Sequence, residues 1–520
     1  MRDPSAEEWD VAIVGAGMGG AALAYSLATS GQKVLVIEKG WARVDTDGAG
    51  ADSLDPDARM RAGRWPDQIE ATIDSVDSSF FAALGCGAGG STLLYAGALE
   101  RLQRDDFMSG PEQQRVAPSW PISYDDLAPF YRLAEERLGA RGGGDPLQSD
   151  PTDLPDPPPL SPGDQHFFGS LHKNGMHPYQ LHNAGDRERG GKIDAMTAFL
   201  EPATALGDVH LLPNCAVKRI EATREGVTGL LCETENGEFE VKAMVYVMAA
   251  GALSTPVLML NSTSADWPDG IANSSGLVGR NLMFHVSDMM AVWPRGRVRV
   301  SSTAKSIAFR DFYWHEGEKF GQIQSTGLTA GRGNIVYFLK QKLDRSGIRW
   351  PRFLRQLTHI PGLIGAWVFG RAVVFASILE DYPYWENRVL PGTATPAAIR
   401  IVYTAHDELK RRTAWFRRLY RTAFAGHWVF ILHSGVNLNF GHACGTCRFG
   451  DDPESSVLDR NNRTHDLQNL FVVDGSFFPS SGGVNPSLTI AANALRVGQY
   501  IAKILSGDRE VMSTASTDTA

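Results

Sequence analysis

Residues 9–40, WDVAIVGAGMGGAALAYSLATSGQKVLVIEKG, run as strand, glycine-rich turn, helix and strand without interruption. That βαβ order makes the two strands parallel and places the helix on one face, as in a Rossmann-type α/β sheet. Gly15 permits the tight turn, Gly17 lets a pyrophosphate approach the backbone, and Gly20 lets the helix pack closely on the strand. The helix N-terminus offers free N–H groups and a positive dipole end to phosphates. Glu38 ends the second strand, where a carboxylate accepts ribose hydroxyls and repels a 2′-phosphate. A dinucleotide other than NADP is expected. On this unit alone FAD and NAD both fit.

Two later stretches extend the site. In VYVMAAGALSTPVLML (245–260) a strand reaches two alanines and Gly251 and then turns, as when a strand returns beside the first one. In LQNLFVVDGSFFPSSGGVNPSLTIAANALRVGQYIAKIL (467–505) a strand meets Asp474-Gly475, a glycine-rich loop follows, and a helix opens at Asn485-Pro486. Proline suits a first helical turn. That helix end is a second anion site, suited to the negative charge that builds on a reduced flavin ring. Two such sites far apart in the chain fit a long cofactor, pyrophosphate at one and isoalloxazine at the other.

The stretch GHACGTCRFG (441–450) raises a separate question, since His442, Cys444 and Cys447 are residue types that bind metals. Zinc needs about four ligands, and no second C-x-x-C stands at metal-site spacing. A c-type haem needs C-x-x-C-H, whereas His442 precedes the cysteines. A redox dithiol lacks its βαβ context here. No metal is expected, and the cysteines read as packing residues. His442 is left as either a satisfied core histidine or a general base.

With these stretches in view, the chain resembles the glucose-methanol-choline (GMC) flavoprotein oxidoreductases over most of its length. The likeness is carried by GAGMGG with Glu38, GAGGSTLLYAGALERLQRDDF (87–107), AAGALSTPVLML (249–260) and SSGLVGRNLMFH (274–285). Most specific is the closing pair, GHACGTCRFG and VVDGSFFPSSGGVNPSLTIAANALR. The resemblance implies an α/β fold with a Rossmann-type FAD-binding domain. A second, substrate-binding domain is built on an antiparallel sheet plus helices, as in p-hydroxybenzoate hydroxylase. It implies a catalytic pair, His442 and Asn485, with Thr446 and Asp474 at neighbouring motif positions. Implied cofactor contacts are Gly15, Gly17, Met18, Gly19, Gly20, Glu38, Lys39, Gly89, Gly90, Ser91, Leu94 and Val217. Ala250, Gly251, Asp474, Gly475, Asn485, Pro486, Leu488 and Thr489 complete the set. Two positions depart from the family pattern. Thr263-Ser264 replaces the usual Ser-Gly, so the loop there is expected to differ. Leu94 stands where members with covalently bound flavin have histidine, so the FAD is expected to be non-covalent.

An alcohol gives up hydride readily only when its hydroxyl proton has an acceptor. His442 can take that proton at neutral pH, and Asn485 can hold the oxygen while also capping its helix. The run Asn485 to Thr489 resembles the sugar-oxidising branches, such as pyranose oxidases, glycoside 3-oxidases and cellobiose dehydrogenases. Aryl-alcohol and glucose oxidases place a second histidine there. The expected reaction turns a secondary hydroxyl of a sugar or glycoside into a ketone, with oxygen or another acceptor reoxidising the flavin. The alternatives are another apolar alcohol (sterol, aryl or long-chain) and a non-oxidative lyase on the same fold. Between 350 and 390, Trp367, Phe369, Phe375, Tyr382, Tyr384 and Trp385 either line an apolar aglycone pocket or form ordinary core.

The net charge of -9 over 520 residues excludes a basic nucleic-acid surface, and five cysteines are too few for a disulfide scaffold. The N-terminus MRDPSAEEWDVAIVG lacks a basic n-region and a long apolar h-region, so a cytoplasmic location is expected. IPGLIGAWVFGRAVVFASIL (360–379) is about long enough to span a bilayer, but Pro361, three glycines and Arg371 interrupt it. LKRRTAWFRRLYRTAFAGHWVFIL (409–432) has an interfacial composition. Both are expected as buried or interface helices with solvated or paired arginines, the alternative being peripheral membrane contact through 360–432. Homo-oligomerisation stays open. The glycine- and proline-rich stretch 139–164 is expected as loop, and 123–139 as a helix capped by Ser123. The expected FAD domain comprises 1–138, 190–285 and 435–508, the substrate domain 139–189 and 286–434, and 509–520 a disordered tail.

Overall fold

The computed structural model describes residues 4–44, 53–108, 118–148, 153–186, 191–295, 305–329, 335–336, 339–340, 343, 358–370, 372–395 and 397–507. The tail 509–520 and Arg371 lie outside the described residues. A five-stranded sheet runs in the order Leu470–Val472, Ala243–Met248, Trp9–Val14, Val34–Ile37, Val209–Leu212, every neighbouring pair parallel. Its central strands are continuous apolar runs because both faces are covered, and Val11 to Ile13 and Val34 to Ile37 are buried. The helices Met18–Ala28 and Ser487–Leu505 pack against one another. Ser26 donates to the Leu495 carbonyl at 3.0 Å, and a Cβ on Gly498 would stand 2.6 Å from that serine's Cβ. The glycine lets the helices approach that closely.

An eight-stranded sheet holds Tyr179–Gln180, Met283–Val286, Met289–Trp293, Ile307–Phe309, Gly321–Thr329, Val373–Leu379, Trp428–Ile431 and Leu438–Cys444. All its pairings are antiparallel. Side chains alternate across it. Ile323 and Phe375 share a core with Phe416 and Tyr420 of the helix Asp407–Ala423, while Gln324, Ala376 and Ile378 face the other way. Met283–Val286, which straddles the expected boundary at 285, and Leu438–Cys444, which the expected boundary at 435 puts with the dinucleotide segments, pair with one another in this sheet. A further sheet joins Ile69–Ile73 and Val76–Phe80 to Arg388–Pro391 and Ile399–Tyr403.

Four expectations about elements change. The apolar stretch 360–379 is not one helix: His359–Phe369 is helical, and Val373–Leu379 is a buried strand of the antiparallel sheet. Its β-branched and aromatic residues fit a sheet interior. The helix His359–Phe369 is exposed rather than buried, with Trp367 85% accessible. The loop stretch ends early, since a helix starts at Pro162 with Ser161 accepting from the Asp164 N–H. The stretch 409–432 is likewise not one helix: Asp407–Ala423 is helical, and Trp428–Ile431 is a strand of the antiparallel sheet with Trp428 and Phe430 exposed. As expected, Tyr124–Arg137 is a helix capped by Ser123, and three arginines of Asp407–Ala423 are paired: Arg412 with Glu408, Arg417 with Asp288 and Arg411 with Glu318. No helix among the described residues is long and apolar enough to cross a membrane.

Candidate active site

One cavity of about 950 Å³ runs between the two sheets and touches both helix N-termini. At the dinucleotide end the turn is forced by packing. Gly15 has φ +107°, and a Cβ there would meet the Ala249 carbonyl at 2.4 Å. Gly20 would bring a Cβ within 2.0 Å of the Gly15 carbonyl, so the helix can start only where that side chain is absent. Glu38 accepts N–H bonds from Ala16 (3.0 Å), Gly40 (2.8 Å) and Gly87 (3.0 Å). These bonds fix its carboxylate on the cavity wall, and Oε2, which accepts only one of them, keeps a lone pair for a ribose hydroxyl.

Of the expected cofactor contacts, Gly15, Gly17, Met18, Gly19, Glu38, Lys39, Gly90, Ser91, Leu94 and Val217 line this cavity. Ala250, Gly251, Asp474, Gly475, Asn485 and Pro486 do so as well. Gly20, Gly89, Leu488 and Thr489 stand behind the wall. Leu488 and Thr489 point into the core, where Thr489 Oγ1 shares a hydrogen bond with Tyr131 Oη at 2.9 Å. Successive helical side chains turn by about 100°, so residues one and two places past the cavity-facing Ser487 turn inward. Asp474 is held by the N–H groups of Gly251 (2.8 Å) and Ser476 (2.9 Å), which ties the parallel sheet to the loop before the second helix.

At the far end the structure brings His442 and Asn485 together, with Asn485 Nδ2 3.5 Å from His442 Nε2. His442 Nδ1 lies 3.1 Å from Nδ1 of His285, whose Nε2 is 2.9 Å from the Gly482 carbonyl. A carbonyl only accepts, so the His285 proton is on Nε2 and its Nδ1 is bare. Burial pushes His285 down to about 4, which keeps it neutral. The proton between the rings therefore belongs to His442 Nδ1. His442 Nε2 is left unprotonated, facing Asn485. Burial first, and then the neighbouring His285 and Lys305, hold His442 well below the usual histidine value. Asn485 Oδ1 is buried with no partner among the described residues.

His285 has no role in the sequence reading; it ends the stretch 274–285 with no local signal of its pairing with His442. Lys305, Gln324 and Ser287 also line the cavity and were equally silent. The six aromatics between 350 and 390 do not line it. Phe375 is on the core face of its strand, Tyr384 stacks on His406 at 3.6 Å, and Arg412 lies over Tyr382. The aromatic side chains on the wall are Trp65, Tyr95 and Phe440. Cys444 and Cys447 are buried thiols packed near Met283 and Met259, and burial pushes both thiols up. Beyond Ser254–Asn261 the Thr263 N–H turns back onto the Asn261 carbonyl.

The cavity is thus bounded by a Rossmann turn, two helix N-termini and a histidine–asparagine pair. Residues 159–287 and 392–494 match the two GMC oxidoreductase models, and residues 13–42 match an NAD(P)-binding Rossmann-like domain. The chain is 30% identical to 2-methyl-1,2-propanediol dehydrogenase of Mycolicibacterium austroafricanum, with 99% of each covered. It is also 30% identical to paromamine 6′-oxidase of Streptomyces fradiae, over 98% of this chain and 93% of that one. Its fold is similar to the crystal structure of pyridoxine 4-oxidase from Mesorbium loti, with a TM-score of 0.64, 20% identity and coverage of 94% and 98%. The chain belongs to the GMC oxidoreductase family.

Proposed function

We propose that this enzyme oxidises a secondary hydroxyl of a sugar, glycoside or related polyol to a ketone, with FAD held non-covalently. The observation that carries the reading is the placing of His442 between His285 and Asn485 on the cavity wall. Its Nε2 stands 3.5 Å from the Asn485 amide and its Nδ1 3.1 Å from His285, whose own N–H donates to the Gly482 carbonyl. The network thus assigns the His442 proton to Nδ1 and leaves Nε2 as the acceptor. The residues fit the cofactor: the cavity spans both helix N-termini, and the orphaned Asn485 Oδ1 awaits a partner there. The turn from Gly15 to Gly19 and Glu38 would hold the pyrophosphate and ribose, and Ser91, Leu94 and Pro486 would flank the ring. Bound FAD supplies the two-electron acceptor for the hydrogen leaving the carbinol carbon.

This chain's own residues manage the proton and the substrate. His442 Nε2 accepts the hydroxyl proton, while the contact of its Nδ1 with His285 holds the ring in place. Asn485 Nδ2–H steadies the oxygen as negative charge builds on it. The N-terminus of Ser487–Leu505 favours negative charge at the same end of the cavity. On the substrate side Gln324, Thr326 and Ser287 offer hydrogen bonds suited to a polyol, among the short side chains Ala376 and Ile378.

Acid precipitation of the yellow holoprotein is expected to release intact FAD, since Leu94 cannot bond the flavin. Turnover with polyols should give ketones, read by the carbonyl carbon shift in NMR. Flavin retained in the pellet would contradict non-covalent binding, and aldehydes as the sole products would contradict attack on a secondary hydroxyl.

A further inference from the structure

The cavity wall carries four carboxylates among the described residues, and each is already engaged. Glu38 accepts backbone N–H bonds, Asp67 pairs with Lys39, Glu233 pairs with Lys218, and Asp474 holds Gly251 and Ser476. All four belong to the dinucleotide half. On the half facing the antiparallel sheet the one ordinarily charged side chain among the described residues is Lys305. Its backbone is fixed where the chain enters Ile307–Phe309: its carbonyl accepts from Asn183 Nδ2 at 2.6 Å, and the next N–H donates to Ser325 Oγ at 2.9 Å. No carboxylate among the described residues lies within ion-pair distance of its ammonium, and burial lowers the amine to about 8. Its charge is felt by His442.

On the wall of the same cavity, two buried polar atoms have no partner, Gln324 Oε1 and Ser287 Oγ. Both residues are nine-tenths or more buried, and both line the cavity. Gln324 reaches the wall because it pairs with Ala376 across the sheet, on the face opposite the aromatic core. The ammonium has no ion-pair partner among the described residues, only the longer-range attraction of the buried Glu100, and the acceptor and hydroxyl on the same wall lack hydrogen-bonding groups.

We propose that this half of the cavity is a subsite for a polyol that carries a carboxylate. The carboxylate pairs with Lys305 Nζ, neighbouring hydroxyls meet Gln324 and Ser287, and a further hydroxyl is left to His442 and Asn485. One ammonium matches a monoanion; a phosphate dianion calls for more donors than this wall presents. A polycationic amino sugar would bring like charge to Lys305. The proposal names the substrate class of the site proposed above and rests on that reading for where the oxidised hydroxyl lies.

D-Gluconate and D-glucitol differ at one end, carboxylate against hydroxymethyl, and their binding to the holoenzyme is read by perturbation of the flavin spectrum without turnover. Gluconate should bind roughly tenfold tighter or more, the usual worth of a charge-assisted contact. Lys305→Met and Lys305→Gln should lose that preference and Lys305→Arg should keep much of it, each variant being checked for FAD content. Equal binding of the two compounds, no binding of gluconate, or a preference that survives in both neutral variants would overturn the subsite. Alcohol oxidation itself is judged by flavin reduction, so failure of the subsite and failure of the reaction are told apart.

Discussion

Replacing His442 by alanine lowers the anaerobic rate of flavin reduction by roughly 10²-fold or more, the usual worth of a positioned base. FAD content stays largely intact, because Nε2 faces the cavity beside Asn485 rather than the dinucleotide turn. The pH profile carries the same signature. The base works unprotonated, so activity is lost only as pH falls through its folded pKa. Burial and the neighbouring His285 and Lys305 hold that value well below 6.5. The reduction rate of the unaltered enzyme should therefore stay level as pH drops past 6.5. Near-normal reduction by His442→Ala would make the histidine structural. An acid limb at or above 6.5 would contradict the neutral pair of rings.

Asn485→Asp keeps the size of the side chain and removes the amide donor. It places a carboxylate where reduced flavin carries negative charge, so the flavin reduction potential should fall and reduction by substrate should slow. The structure adds a second effect. The new carboxylate would stand about as close to His442 Nε2 as the present 3.5 Å contact, favouring the protonated ring and moving the acid limb upward. Asn485→His should retain FAD and part of the activity, because imidazole still donates. Potential and reduction rate are measured for both variants. An aspartate variant as fast as the unaltered enzyme, with an unchanged potential, would show that Asn485 does not act at the flavin.

The Rossmann half was legible because its signals are local. Strand, turn glycines, helix and acid occupy consecutive residues from 9 to 40, and each constrains the next. The second anion site was read the same way, from Asn485-Pro486 opening a helix. The substrate half was not, since what faces the cavity depends on which face of a strand a distant helix covers. In Val373–Leu379 the alternation alone separates Phe375 from Ala376, and only the packing of Phe416 and Tyr420 decides that Phe375 turns to the core. The apolar run 360–379 misled for a related reason: a buried central strand and a buried helix share the same composition. His285 is 157 residues from His442, and their meeting depends on the irregular register between Met283–Val286 and Leu438–Cys444. No motif encodes that register. Lys305 likewise acquires meaning only once the four wall carboxylates are seen to be engaged elsewhere.

The reaction class is tested most directly by mixing the holoenzyme anaerobically with a panel of sugars, glycosides, sugar acids, sterols and simple alcohols while following flavin absorbance. For at least one polyol the absorbance of oxidised flavin should be lost, with one equivalent of carbonyl product per flavin reduced. Flavin that stays oxidised with every donor, or product that forms while the flavin stays oxidised as in a lyase, would contradict oxidation of a CH–OH group at His442.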